Sequence, residues 1–165
     1  MLIMEDVCGK RLLISGGPAL ACDIVEKAKE MGVYTIVTDW YEDSPAKKIA
    51  DESHMVSTAD IDAMICLARD REVHGVITQY IDSNLPNVQK ICEKLGLPFV
   101  ATAEQLELIG NKKHAKDLCI KHGIPVPREF YITTEFRDCD LDNVIYPVLT
   151  KPVDNSGQRG ISICR

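Results

Sequence analysis

At 165 residues the chain has room for one ordinary domain, or for one domain and part of another. Hydrophobic residues at 45% can supply a core, and 27% charged residues with a net charge of −6 exclude a low-hydrophobicity disordered chain. No basic run exceeds two residues, which speaks against a nucleic-acid partner, whose affinity rests on clustered lysine and arginine.

No apolar run reaches membrane-spanning length, and Glu5 and Asp6 stand where the apolar region of a signal peptide belongs. A cytoplasmic protein with no membrane partner is expected. The seven cysteines agree. They are scattered, the nearest pair being Cys8 and Cys22, so no CxxC metal or redox motif exists, and they read as reduced thiols used as small core residues. His54, His74, His114 and His122 never fall in H-x-x-H spacing, so no metal is expected on them.

The first element is the apolar run "RLLIS" (11–15), of strand length, followed by "GGP" and a helical pattern with Leu20, Ile24, Ala28 and Met31 on one face. Gly32 stops that helix, and "VYTIVTD" (33–39) is a β-branched, buried strand. Trp40 then reads as a cover over the sheet edge. "KKIAD" suggests a helical turn and "HMVS" (54–57) a short strand. Asp60 can cap a helix carrying Ile61, Met64, Ile65 and Ala68 on one face.

"HGVITQ" (74–79) is the next strand. Asn84 can cap a helix with Pro86 in its first turn, and Gly96 ends it. "LPFV" (97–100) completes five strands. Strands alternating with helices at this spacing predict an α/β, Rossmann-like parallel sheet in the order 3-2-1-4 with a possible fifth strand.

The rhythm changes after residue 100. Residues 102–123 form two helical segments broken near Gly110. "IPVPREFYITTE" is extended and proline-punctuated, and 144–165 reads as strand, glycine loop, strand. The expected division is 1–102 and 103–165.

Two loops suggest ligand chemistry. "SGGPA" (15–19) joins a strand to a helix, where free N–H groups can receive an anion, and Asp39 stands where a dinucleotide fold keeps its ribose acid. Pro18 and Ala21 depart from G-x-G-x-x-G, which weakens a dinucleotide reading. Gly16 and Gly17 meet Thr78, Gln79 and Asp82 at the sheet's switch point, making these five the candidate substrate-binding residues. Ordinary strand-end polarity is the competing explanation for them.

The second loop is "TKPVDNSGQRG" (150–160). No Walker-type G-x-x-x-x-G-K-S/T occurs. Instead Lys151 ends a strand, Gly157 and Gly160 let backbone approach phosphate oxygens, and Ser156 and Arg159 add donors. A plain surface hairpin would also carry such a turn.

"GNKKHAKDLCIKHGIPVP" (110–127) followed by "YPVLTKPVDNSGQRGI" (146–161) resembles the ATP-grasp carboxylate–amine ligases, nearest to carbamoyl-phosphate-synthase-like members. The resemblance runs from about residue 11 to the end, with 1–102 matching the Rossmann-like domain that precedes the ATP-grasp and 103–165 its beginning. It implies that Lys112 and Lys151 face the nucleotide phosphates. It also implies that Asp154, Ser156, Gly157, Gln158, Arg159 and Gly160 belong to a mobile loop over the β- and γ-phosphates.

In such enzymes a carboxylate attacks the γ-phosphate to give an acyl phosphate, and an amine or other nucleophile displaces the phosphate. ATP and Mg²⁺ are the implied cofactors, and small carboxylates and amines the implied substrates. The family's second lobe, with its adenine hinge and Mg²⁺-binding acids, has no counterpart in 1–165. The expectation is therefore an N-terminal ligase section with no catalytic or metal-binding residue of its own, inactive alone. An unpaired edge in 144–165 could then support a homodimer. The alternatives are a non-catalytic nucleotide- or dinucleotide-binding module, and a module completed by a second polypeptide.

Overall fold

The computed structural model describes residues 7–79, 81–130, 132, 135, 137–153 and 159–165. The chain divides into two compact units, 1–106 and 107–165.

In the first unit four parallel strands, β1 (Arg11–Ser15), β2 (Tyr34–Thr38), β3 (Glu52–His54) and β4 (Gly75–Ile77), form one sheet in the order β3-β2-β1-β4. Period-2 alternation sends neighbouring residues of a strand to opposite faces. Leu13, Ile36 and Val76 pack on one face with α2 (Ile61–Asp70) and α3 (Leu85–Leu95), through Met64, Ile65, Val88 and Ile91. Ile14 and Val37 pack on the other face with Ala21 and Val25 of the α1 region (Cys22–Glu30). Near-continuous apolar strands are what a sheet covered on both faces requires.

Local chemistry sets the helix ends. Asp60 Oδ1 accepts from the Ala63 N–H at 3.0 Å and caps α2 as expected. Asn84 stands at the start of α3 but does not cap it with its side chain. Its Oδ1 accepts instead from the Thr58 hydroxyl at 3.0 Å, which holds the buried amide under the preceding turn. The α1 face also differs from the sequence pattern. A 3₁₀ turn over Ala19–Ala21 precedes the helix, so Ala21, Val25 and Ala28 face inward while Leu20 is 57% exposed.

Three further expectations are corrected. Residues 97–100 form no strand. Pro98 has no N–H to give a ladder, and Leu97 and Phe99 pack against the α2–α3 core as irregular chain while Val100 is exposed. Trp40 is 69% exposed and is no packed cover over the sheet edge. Of the seven free cysteines only Cys92 is buried, where burial pushes its thiol up, and its S–H donates to the Val76 carbonyl.

The helix α4 (Ala103–Gly110) ends at the expected break, and α5 (Lys112–Lys121) follows. In the second unit β5 (Val148–Thr150) pairs antiparallel with β6 (Ser162–Cys164). Among the described residues of 107–165, none is fully buried. No helix among the described residues is long and apolar enough to cross a membrane.

Candidate functional site

The first group of candidates lies at the carboxyl ends of β1 and β4, where the strand order reverses direction from β1 to β4 and open α/β sheets leave a crevice. Gly16 has φ +95, a left-handed conformation that costs a residue with a Cβ about 1–2 kcal/mol. A Cβ there would also stand 2.5 Å from Ile81 Cδ1. Gly17 is required by space, since its Cβ would meet Ser44 Cβ at 3.0 Å and Val37 Cγ1 at 3.2 Å.

The loop N–H groups are already engaged. Gly16 donates to the Thr38 carbonyl at 2.8 Å, and Gly17 donates to Asp39 Oδ2 at 2.6 Å. Asp39 also accepts from the Tyr41 N–H at 3.0 Å. Burial pushes this carboxyl up, but the Tyr41 and Gly17 N–H groups, the Ser44 hydroxyl and the Lys47 charge together hold it below its ordinary value. The residue placed by sequence at a ribose therefore orients the glycine loop. Thr78 is buried, its hydroxyl donating to the Ser15 carbonyl at 2.9 Å, while Gln79 and Asp82 are exposed.

The second group belongs to the other unit. Asn111 caps α5, its Oδ1 accepting from the N–H groups of Lys113 (2.9 Å) and His114 (3.3 Å). Sequence reading missed this residue, although an asparagine directly before a helical run is an N-cap signal. Lys112 is thereby the first residue of the helix, and its N–H donates to the Val153 carbonyl at 2.9 Å. Lys151 follows β5 directly and is exposed.

The register pairs Thr150 with Ser162, and the hairpin closes through Gly160 at φ +75. A Cβ at Gly160 would stand 2.8 Å from Pro152 Cγ, so glycine is needed for this approach. Arg159 precedes it and is exposed. Asp154, Ser156, Gly157 and Gln158 lie outside the described residues. The Lys112–Val153 bond ties the start of α5 to the chain that follows β5 and Lys151.

No group of three or more His, Cys, Asp or Glu able to hold a metal ion occurs among the described residues.

No protein-family model matches the chain. The small subunit of 2-oxoglutarate carboxylase from Hydrogenobacter thermophilus is 27% identical, over 94% of this chain and 36% of its own. A formate-dependent phosphoribosylglycinamide formyltransferase from Pectobacterium carotovorum is 28% identical, over 94% of this chain and 40% of its own. Among solved structures, N5-carboxyaminoimidazole ribonucleotide synthetase from Thermotoga maritima superposes with a TM-score of 0.72 at 26% identity, covering 93% of this chain and 40% of that one. These relatives are ATP-grasp ligases, and the fold is that of the N-terminal domains of ATP-grasp enzymes. The chain spans about two fifths of the length of these relatives.

Proposed function

We propose that this chain supplies the phosphate-binding lysines and the acceptor-substrate crevice of an ATP-dependent ligase that works through an acyl phosphate. The observation that carries this reading is the Lys112–Val153 backbone bond, which joins the start of α5 to the strand end bearing Lys151. In this reading Lys112 and Lys151 face the β- and γ-phosphates and offset charge that builds as the γ-phosphoryl moves to a substrate carboxylate. Residues 154–160 close over the phosphates, with Gly157 and Gly160 letting the backbone approach. Such chemistry is mostly positioning and charge neutralisation.

Gly16, Gly17, Thr78, Gln79 and Asp82 would line the acceptor crevice. Since the N–H groups of Gly16 and Gly17 are engaged, these glycines contribute open space rather than donors. The narrower likeness to carbamoyl-phosphate synthases rests on the motif pair at 110–127 and 146–161. Mg²⁺, when bound with ATP, would supply the remaining charge compensation. A homodimer would form by pairing along the open β5–β6 edge, where Leu149, Ile161 and Ile163 are exposed.

The test is binding of Mg·ATP to the 165-residue chain and two variants. Loss of binding in Lys151→Ala, with binding retained in Gly16→Val, is expected. The reverse pattern would favour a dinucleotide-binding module without ligase chemistry.

A further inference from the structure

Three hydroxyl side chains stand in one row across the carboxyl end of the first unit's sheet. Ser15 pairs with Thr38 in the β1–β2 ladder, and Ile14 pairs with Ile77, which sets Thr78 beside Ser15 on the other side. Leu13 lies two residues before Ser15 and faces α2 and α3, so the row Thr38–Ser15–Thr78 faces the same way. All three are buried, at 0%, 1% and 6% exposure.

The outer two have partners for their protons. Thr38 donates to the Ile14 carbonyl at 3.4 Å and Thr78 to the Ser15 carbonyl at 2.9 Å. The central one does not. Ser15 Oγ is the buried side-chain polar atom that lacks any hydrogen-bond partner among the described residues. Leaving a buried hydroxyl unsatisfied is costly, and such a group calls for a ligand or a water.

The roof over this end of β1 comes from the turn after β4. Ile81 Cδ1 occupies the space a Gly16 Cβ would need, and Asn84 Nδ2 comes within 3.4 Å of that same position. Asn84 is itself buried and tied to Thr58. Within this group of Ser15, Thr38, Thr78, Asn84 and Thr58 every polar side chain is uncharged. A phosphate buried there would lack the cation that its charge demands, whereas a neutral donor–acceptor group would be matched.

We propose that Ser15 is a specificity-determining contact, its hydroxyl receiving an uncharged hydroxyl or carboxamide group of the acceptor substrate at the β1–β4 crevice. This rests on the proposed placement of the acceptor site in that crevice. In this proposal Ile81, whose Cδ1 fills the space beside Gly16, moves aside on entry. The hydroxyl row then reads the neutral end of the substrate.

The experiment is nitrogen-15-resolved NMR of the 165-residue chain titrated separately with D-ribose, acetamide and inorganic phosphate, beside melting curves of the ligand-free variants. D-ribose or acetamide should shift the Gly16 and Thr78 amides, more strongly in Ile81→Ala, and should not shift them in Ser15→Ala. Phosphate should leave both amides in place. Ligand-free Ser15→Ala should melt above the wild type, because an unsatisfied buried hydroxyl has been removed. A lower melting point for Ser15→Ala would overturn the proposal, since the hydroxyl would then be satisfied internally. So would the absence of shifts from both neutral probes, their persistence in Ser15→Ala, or a larger shift from phosphate. No arm contains ATP, so failure of ATP binding with these shifts intact would count against the ligase reading alone.

Discussion

The N–H of Lys112 donates to the carbonyl of Val153 at 2.9 Å, joining two points 41 residues apart in sequence (153 minus 112). Lys112 is held by a helix start and Lys151 by a strand end, so neither element alone fixes both lysines. This one backbone bond makes the geometry of the pair depend on how well α5 begins.

Asn111→Ala should therefore loosen the lysine pair without touching either lysine. It removes the acceptor for the Lys113 and His114 N–H groups. Loss of such a cap costs about 1 kcal/mol. Amide exchange at Lys112, Lys113 and His114 should speed by several-fold, with no change at Leu13 or Ile91.

Gly160→Ala should disturb the hairpin. The left-handed φ of +75 costs a residue with a Cβ about 1–2 kcal/mol, and the added Cβ would press on Pro152. Faster exchange across Ser162–Cys164, and weaker phosphate-dependent binding, are the expected readouts.

Acid should weaken the first unit through three carboxylates, Asp39, Asp51 and Glu52. At Asp39 the Tyr41 and Gly17 N–H groups lead the effects that outweigh burial. At Asp51 burial raises the pKa but the Thr35 N–H and hydroxyl and the Lys29 ammonium outweigh it. At Glu52 the Arg71 hydrogen bond is the largest cause and the His54 contact adds to it, against burial. All three are depressed in the folded chain. Their stabilisation is therefore complete above the ordinary carboxylate value of about 4 and is lost as pH falls through the depressed values. Thermal midpoints should fall steadily below about pH 4, and Asp39→Asn should flatten part of that decline.

The core and the rim should respond very differently to truncation. Ile91 is fully buried, and Ile91→Ala should cost about 2–5 kcal/mol in denaturant unfolding. Trp40 is 69% exposed, and Trp40→Ala should change stability by no more than about 0.5 kcal/mol.

The sheet was legible because β1, β2 and β4 are short apolar runs, β-branched in β2, set between helices with clear 3.6-residue periods, as a sheet buried on both faces requires. The 97–100 run was misleading because its apolar composition reports burial of Leu97 and Phe99 but not the missing N–H of Pro98. Asn84 and Asp39 show tertiary contacts that motif reading does not reach. Both stand where a motif predicts a local or ligand role, yet tertiary partners 26 and 22 residues away, Thr58 and Gly17, take their oxygens. Ser15 could not be singled out, since its missing partner is visible only once the strands are in register. The lysines were legible only as a pair of motifs, and the bond that joins them, from a backbone N–H to a backbone carbonyl, leaves no trace in residue type.

Calorimetric titration of the 165-residue chain with Mg·ATP, beside a phosphate-release assay, tests the central claim most directly. Two lysines and an arginine at an exposed site give about 0–1 kcal/mol per ion pair. Millimolar affinity needs about −4 kcal/mol. The account predicts salt-sensitive binding at millimolar strength or weaker, its loss in Lys151→Ala, and no phosphate release. Binding that survives Lys151→Ala and Lys112→Ala unchanged, or steady turnover by this chain alone, would contradict it.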